Sequence, residues 1–372
     1  MFIYLITFAC ALFIINFASK NKNNPPIYYG SITIVILLLS YIAGMRDIGV
    51  GTDTITYTES YFRNGSAYTG IPEIILEQDL PFDKAYLILN YIGAQITNQT
   101  WIALLLTEFI ITIFLFWGST LFFKENKGLT IFIFLYLFIF YNQSLNFMRQ
   151  MCAVSICYVS IYYSIKRKWI PFSILIFIAY HFHSSAIMGL IVPVIYYICL
   201  IKNKRIRNFY LFLSILIGLL FYTSFYYILN IIGGMNSMTE IYADRYGAQS
   251  SYSSIGNFPK TQLIIFIFIY ILLFISYKKN IIKSVINLYG IVIHSFYILM
   301  FLLSNYIVYL YRISFYLYII DLTLISIILA SKQITKPLKY SFYIIIIFSW
   351  YYEYILNNSC ETYPYSSQIL GI

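Results

Sequence analysis

Apolar runs close to bilayer-spanning length recur from one end of this chain to the other, and they constrain its fold more than any other feature. They cover approximately 1–18, 28–44, 101–122, 129–141, 146–165, 169–180, 184–201, 208–232, 261–277, 285–304, 306–330 and 340–356. A helix needs about 20 apolar residues to cross a hydrocarbon core. Hydrophobic residues make up 60% of the 372, and only 10% are charged, against about a quarter in soluble domains. Mean hydropathy is +0.77. These values exclude a cytosolic enzyme, a secreted disulfide scaffold and a disordered chain. An all-α polytopic membrane protein is expected. The N-terminus, Met1-Phe2-Ile3-Tyr4, lacks a basic leader and reads as an uncleaved first span.

Charge sets the topology. The clusters Lys20/Lys22, Lys124/Lys127, Lys166/Arg167/Lys168, Lys202/Lys204/Arg205/Arg207, Lys278/Lys279/Lys283 and Lys332/Lys336/Lys339 hold most of the 24 basic residues. All fall on one side only if the weaker segment 84–97 does not cross. The positive-inside rule then gives about twelve spans, both termini outside, and 84–97 interfacial or re-entrant. Two outer loops result, about 45–100 and 233–260, and residues 1–372 form a single transmembrane domain. Segments 129–141 and 169–180 are short for full spans. They end at Asn142-Gln143-Ser144 and His181-Phe182-His183-Ser184. Helices that stop early would leave a water-accessible depression.

Seven basic residues escape the cytoplasmic clusters: Arg46, Arg63, Lys84, Arg149, Arg245, Lys260 and Arg312. Arg149 and Arg312 lie within span ends, where an unpaired charge costs a few kcal/mol. Arg46, Arg149, Arg312, His181 and His183 all reach one depth. A single arginine there would be read as snorkelling to headgroups. Three with histidines point to an anionic ligand, because guanidinium holds phosphate in a bidentate fork and stays charged.

Asp53 follows a glycine turn, Gly49-Val50-Gly51-Thr52, close after Arg46. This is no nucleotide fingerprint, since no βαβ unit surrounds it. Asp53 and His183 are both candidate proton acceptors, and the sequence does not choose between them. His294 lies mid-span without an evident partner and reads as structural. Glu108 and Asp321 are intramembrane acids, suited to pairing across helices or to a proton path. Asp321 lies too deep to pair with Arg312. Asp-x-Asp, H-E-x-x-H, C-x-x-C and Walker A patterns are absent from the sequence. No metal, cofactor or nucleic-acid partner is therefore expected.

The ordered blocks Arg46-x-x-x-x-Gly51-Thr52-Asp53-x-x-x-Tyr57, Asn146-x-x-Arg149-Gln150-x-x-Ala153, Phe182-His183-Ser184-Ser185-Ala186, Arg312 and Tyr363-Pro364-Tyr365 resemble the EpsG-type family of Wzy-like polysaccharide polymerases. The resemblance covers nearly the whole chain. It implies a lipid-dependent, metal-independent glycosyltransferase with a GT-C-like helical fold in the bacterial inner membrane, facing the periplasm. Such enzymes join undecaprenyl-pyrophosphate-linked repeat units into O-antigen, capsule or exopolysaccharide, with the lipid-linked glycan as both donor and acceptor. A separate chain-length regulator is a further implied partner.

With that chemistry, Arg46, Arg149 and Arg312 are expected to bind pyrophosphate. Asp53, His183 and Arg149 are expected to be catalytic. His181, Tyr57, Tyr363 and Tyr365 are expected to contact sugar. An O-antigen ligase differs only in its acceptor. A lipid-linked oligosaccharide flippase would place charges in both leaflets or near the midplane, often with repeat symmetry. A membrane acyltransferase would face its charged motifs inward.

Overall fold

The computed structural model describes residues 1–76, 83–123, 126–216, 260–304 and 309–372. Within them the chain is helical, with no β-strand among the described residues. Outer loop 233–260, apart from its final residue, lies outside the described residues. So do Arg245 and most of the expected span 208–232.

Six helices are long and apolar enough to cross a membrane: Phe2–Lys20, Pro25–Met45, Trp101–Phe122, Thr261–Lys279, Ser284–Leu303 and Leu310–Ala330. The expected segments 129–141, 169–180 and 184–201 form shorter apolar helices, Lys127–Ile139, Trp169–Phe182 and Ser184–Cys199. Segment 340–356 begins as the helix Lys336–Trp350 and continues as a π-helical turn, Tyr351–Leu356. Segment 84–97 forms the helix Lys84–Ile96, whose 13 residues reach only about 20 Å, short of a bilayer core.

Local sequence explains the helix ends. Asn24 caps the Pro25–Met45 helix by accepting the Ile27 N–H at 3.4 Å, and Pro25 and Pro26 occupy its first turn. The helix ends at Arg46, whose backbone is extended. Phe147 separates a short helix, Tyr141–Asn146, from the helix Met148–Ile165.

Burial divides the helices into two groups. Met148–Ile165 and Phe315–Ala330 are buried on almost every face and form the centre. A helix that is apolar all round belongs in such a core. Peripheral helices leave large apolar side chains uncovered, among them Phe2, Phe13, Leu37, Ile170, Phe177 and Ile344. A soluble monomer does not carry so much exposed apolar surface, whereas lipid solvates it without cost. Gly44 lets Pro25–Met45 and Trp101–Phe122 approach closely, since a Cβ there would sit 2.6 Å from Leu105 Cβ.

The buried titratable groups His294, Asp321 and Glu108 are paired in the core. His294 Nδ1 lies 2.7 Å from Asp321 Oδ2, and its Nε2 lies 3.1 Å from the Phe266 carbonyl. The mid-span histidine thus has a partner 27 residues away. Glu108 accepts from Tyr136 Oη at 3.1 Å and Ser144 Oγ at 2.9 Å. Both acids are satisfied where an unpaired charge would be costly.

Candidate functional site

Three helix interruptions meet at one end of the bundle. They are the loop 46–53 after Pro25–Met45, the Phe147 break, and the turn at His183. The short helix Tyr309–Ile313 joins them. Together they enclose a narrow cleft of about 260 Å³ including its mouth, lined by Asp53, Tyr57, Asn146, Phe147, Met148, Arg149, Gln150, His183 and Arg312. Five of the sequence-selected residues therefore converge: Asp53, Tyr57, Arg149, His183 and Arg312.

Arg149 opens the first turn of Met148–Ile165. Its guanidinium lies over the Tyr57 ring, 3.8 Å from the centroid, and 5.2 Å from the Tyr61 centroid. Nη1 donates to Tyr61 Oη at 3.0 Å and forms an ion pair with Asp83. Tyr61 also donates to Asp83 Oδ2 at 3.2 Å. No described residue accepts from Nε or Nη2, so one side-on donor edge remains for a ligand. Burial raises the Asp83 carboxyl pKa, and the Arg149 charge opposes that rise.

Arg312 comes from the opposite wall. Its guanidinium lies 4.5 Å from the Phe147 centroid, and Nη2 lies 3.5 Å from Asp53 Oδ2. Both aromatic contacts hold a cation without consuming its donors. Gln150 Nε2 donates to the Arg312 carbonyl at 2.7 Å, tying the two walls together.

Asp53 is placed by a chain of main-chain contacts. Its N–H donates to Asn146 Oδ1 at 2.7 Å. Gly51 adopts φ +104, and a Cβ there would lie 2.8 Å from Thr54 Oγ1 and 3.1 Å from the Leu145 carbonyl. Glycine is required for both reasons. The Gly51 N–H donates to the Glu361 carbonyl at 2.8 Å, and the Asp47 N–H donates to Ser366 O at 2.9 Å. The C-terminal tail thus straps down the Asp53 loop. Tyr4 Oη holds the Thr362 carbonyl at 2.7 Å, and Asn142 Nδ2 donates to Thr362 Oγ1 at 2.9 Å.

His183 follows the helix Trp169–Phe182. Its Nδ1 accepts the Ser185 N–H at 3.2 Å and lies 2.7 Å from Ser185 Oγ, which lies 2.9 Å from Tyr316 Oη. Burial first, then the Arg149 and Arg312 charges, lowers the imidazole pKa to about 3. The ring is neutral at physiological pH.

The remaining sequence-selected residues stand elsewhere. Arg46 does not line the cleft. It is 3% exposed, and its donors are used by backbone carbonyls: Nη1 by Ala43 at 2.6 Å, Nη2 by Leu145 at 2.8 Å, and Nε by Val50 at 3.2 Å. It joins a helix end, the Asp53 loop and the Phe147 break. His181 packs against Phe177, with ring centroids 4.5 Å apart, outside the cleft. Tyr365 donates to the Ile42 carbonyl at 2.8 Å and packs edge-on against Tyr4. The Tyr363 N–H donates to Asn358 Oδ1 at 3.0 Å. Both tyrosines belong to the strap, and neither lines the cleft. Among the outer cations, Arg63 pairs with Glu59, and Lys84 Nζ donates to Ile75 O at 2.7 Å. The Lys260 side chain lies outside the described residues.

Asp83 and Tyr61 were not singled out from the sequence, although both hold Arg149. Asp83 is one of several outer acids, and Tyr61 is one of 40 tyrosines. Nothing in their local pattern distinguishes them. Among the described residues, no group of three or more His, Cys, Asp or Glu is arranged to hold a metal ion.

No curated protein and no solved structure matches the chain. One family model matches across residues 29–367, from the second helix to the strap, spanning all the residues of the cleft, so the chain belongs to the EpsG family.

Proposed function

We propose that this protein is a polysaccharide polymerase that joins undecaprenyl-pyrophosphate-linked repeat units by glycosyl transfer at the periplasmic face of the bacterial inner membrane. The observation that carries the proposal is the cleft itself. Two guanidiniums, each with unspent donors, face a carboxylate and an imidazole in about 260 Å³.

The chemistry follows from these groups. An acceptor sugar hydroxyl attacks the anomeric carbon of the donor glycan. The bond from that carbon to the pyrophosphate oxygen breaks, and its electron pair leaves with the diphosphate. Arg149 and Arg312 stabilise the charge that develops there, in a site fixed before the reaction begins. They act in place of a divalent ion, so elongation should persist in a chelator. The hydroxyl proton passes to Asp53 or His183. Tyr57, stacked beneath Arg149, completes the floor where sugar and diphosphate meet. Arg46 acts through the backbone, as the residue that positions the Asp53 loop. The strap holding Tyr363 and Tyr365 supports the same loop.

The test is a strain deleted for the gene, with surface polysaccharide resolved by size. A single core-plus-one-unit band, restored to a ladder by the wild type but not by Arg149→Ala, is the expected result. An unchanged ladder rejects the polymerase. Loss of even the single-unit band, with lipid-linked units accumulating, would indicate a ligase or a flippase. The membrane side on which they accumulate separates those two.

A further inference from the structure

Of the two proton acceptors left open above, we infer that only Asp53 takes the acceptor proton, while His183 serves as a neutral hydrogen-bond donor to the departing diphosphate through Nε2–H. This rests on the glycosyl-transfer reading and assigns the roles within that same cleft.

The argument begins with the Ser185 backbone. An amide N–H can only donate, and Ser185 N–H points at His183 Nδ1 at 3.2 Å. Nδ1 must therefore carry a lone pair rather than a proton. In a neutral imidazole the proton then resides on Nε2, which becomes a donor only. Ser185 Oγ, 2.7 Å from Nδ1, fits as a second donor. Its own oxygen can accept from Tyr316 Oη at 2.9 Å. The chain Tyr316–Ser185–His183 thus delivers hydrogen bonds toward the ring and fixes one tautomer.

Ring protonation is disfavoured on the same geometry. A second ring proton would have to sit on Nδ1 and oppose the Ser185 N–H. The cleft also contains the Arg149 and Arg312 guanidiniums, and both repel an imidazolium. His183 can therefore neither hold a proton on Nδ1 nor accept one at Nε2, which already bears one. A donor suits a diphosphate whose negative charge grows as the anomeric bond breaks.

Asp53 is the remaining group with an acceptor. Its carboxylate lines the cleft, with Oδ2 at 3.5 Å from Arg312 Nη2. During transfer the acceptor oxygen bonds to the anomeric carbon, the old carbon–oxygen pair leaves on the diphosphate, and the hydroxyl proton moves to the Asp53 carboxylate. Arg312, paired with Asp53 at 3.5 Å, then bridges the base and the leaving group.

The test uses the full-length protein with 15N-labelled histidine in lipid nanodiscs. The chain has three histidines, so His183→Gln assigns the signal. Long-range proton–nitrogen correlation should show Nδ1 bare and Nε2 protonated at pH 7, unchanged at pH 5. An Nδ1–H tautomer, or protonation with a midpoint between pH 6 and 7, would overturn the inference. Elongation provides the second readout. His183→Gln keeps a side-chain N–H donor and should lose about tenfold, whereas Asp53→Asn should lose 100-fold or more, the range of a lost general base. The reverse order would also overturn it. If gene deletion leaves the polysaccharide ladder unchanged, the polymerase reading fails, while the nitrogen shifts still decide the His183 tautomer.

Discussion

Replacing Arg149 by lysine keeps the charge and discards the geometry, and the surroundings of Arg149 fix what should follow. In the wild type, Nη1 is consumed by Asp83 and Tyr61, and the guanidinium sits over the Tyr57 ring, 3.8 Å from its centroid. On the polymerase reading, the Nε and Nη2 edge is left to form two parallel bonds to a diphosphate. A lysine has a single nitrogen at the end of its stem, and Asp83 is already in place to capture it. The variant would therefore lose two charge-assisted hydrogen bonds to ligand. Each contributes about 1.5–3 kcal/mol, a total of roughly 3–6 kcal/mol. At tenfold per 1.4 kcal/mol this predicts a fall of about 10²–10⁴ in elongation rate. The assay is conversion of purified lipid-linked repeat units to longer chains by protein in nanodiscs, run beside the surface ladder in cells. Membrane insertion and folding should survive, because the ion pair with Asp83 persists. Chains of near-normal length from Arg149→Lys would refute the fork argument and reduce Arg149 to a point charge.

Three more expectations address the supports of the cleft. Asn146→Ala removes the acceptor of the Asp53 N–H and should cost about 1–3 kcal/mol in stability or rate; Asn146→Asp keeps an oxygen there and should recover part of it, measured by chain length and thermal unfolding. Gly51→Ala forces a side chain onto φ +104 and toward the Leu145 carbonyl, so elongation should fall by at least about tenfold with a lowered midpoint of thermal unfolding; an active, equally stable variant would show that the Asp53 loop needs no such clamp. His183 has a folded pKa depressed from 6.5 to about 3. Its contribution to stability is thus complete above pH 6.5 and is lost as pH falls toward 3. Unfolding midpoints across that window should decline less steeply in His183→Gln than in the wild type, and parallel curves would contradict the depressed pKa.

Much of the site was legible because cations are costly at the ends of apolar helices. Arg149, Arg312 and His183 stood out against a background in which most basic residues cluster between spans. Asp53 stood out through its glycine turn. Arg46 shows the limit of that logic. Its position at a span end was as unusual as that of Arg149, yet its guanidinium is spent on three carbonyls from two parts of the chain. No local signal separates a cation that lines the cleft from one that satisfies main-chain oxygen. His181 and His183 lie two residues apart, but a helix end turns one toward Phe177 and the other into the cleft.

The sequence by itself determined the helical, membrane-embedded class and the family, because apolar run length and ordered short motifs are properties of the chain read in line. It also selected the charges that must have a purpose. The tertiary structure decided which of them meet. Arg312 and Asp53 are 259 positions apart, and Arg149 and Asp83 are 66 apart. Segment 84–97 folded into the 13-residue helix Lys84–Ile96, and the strap took Tyr363 and Tyr365 away from the cleft. Hydrogen bonds and ion pairs act over about 3 Å, so only packing that closes such separations can give these residues their partners.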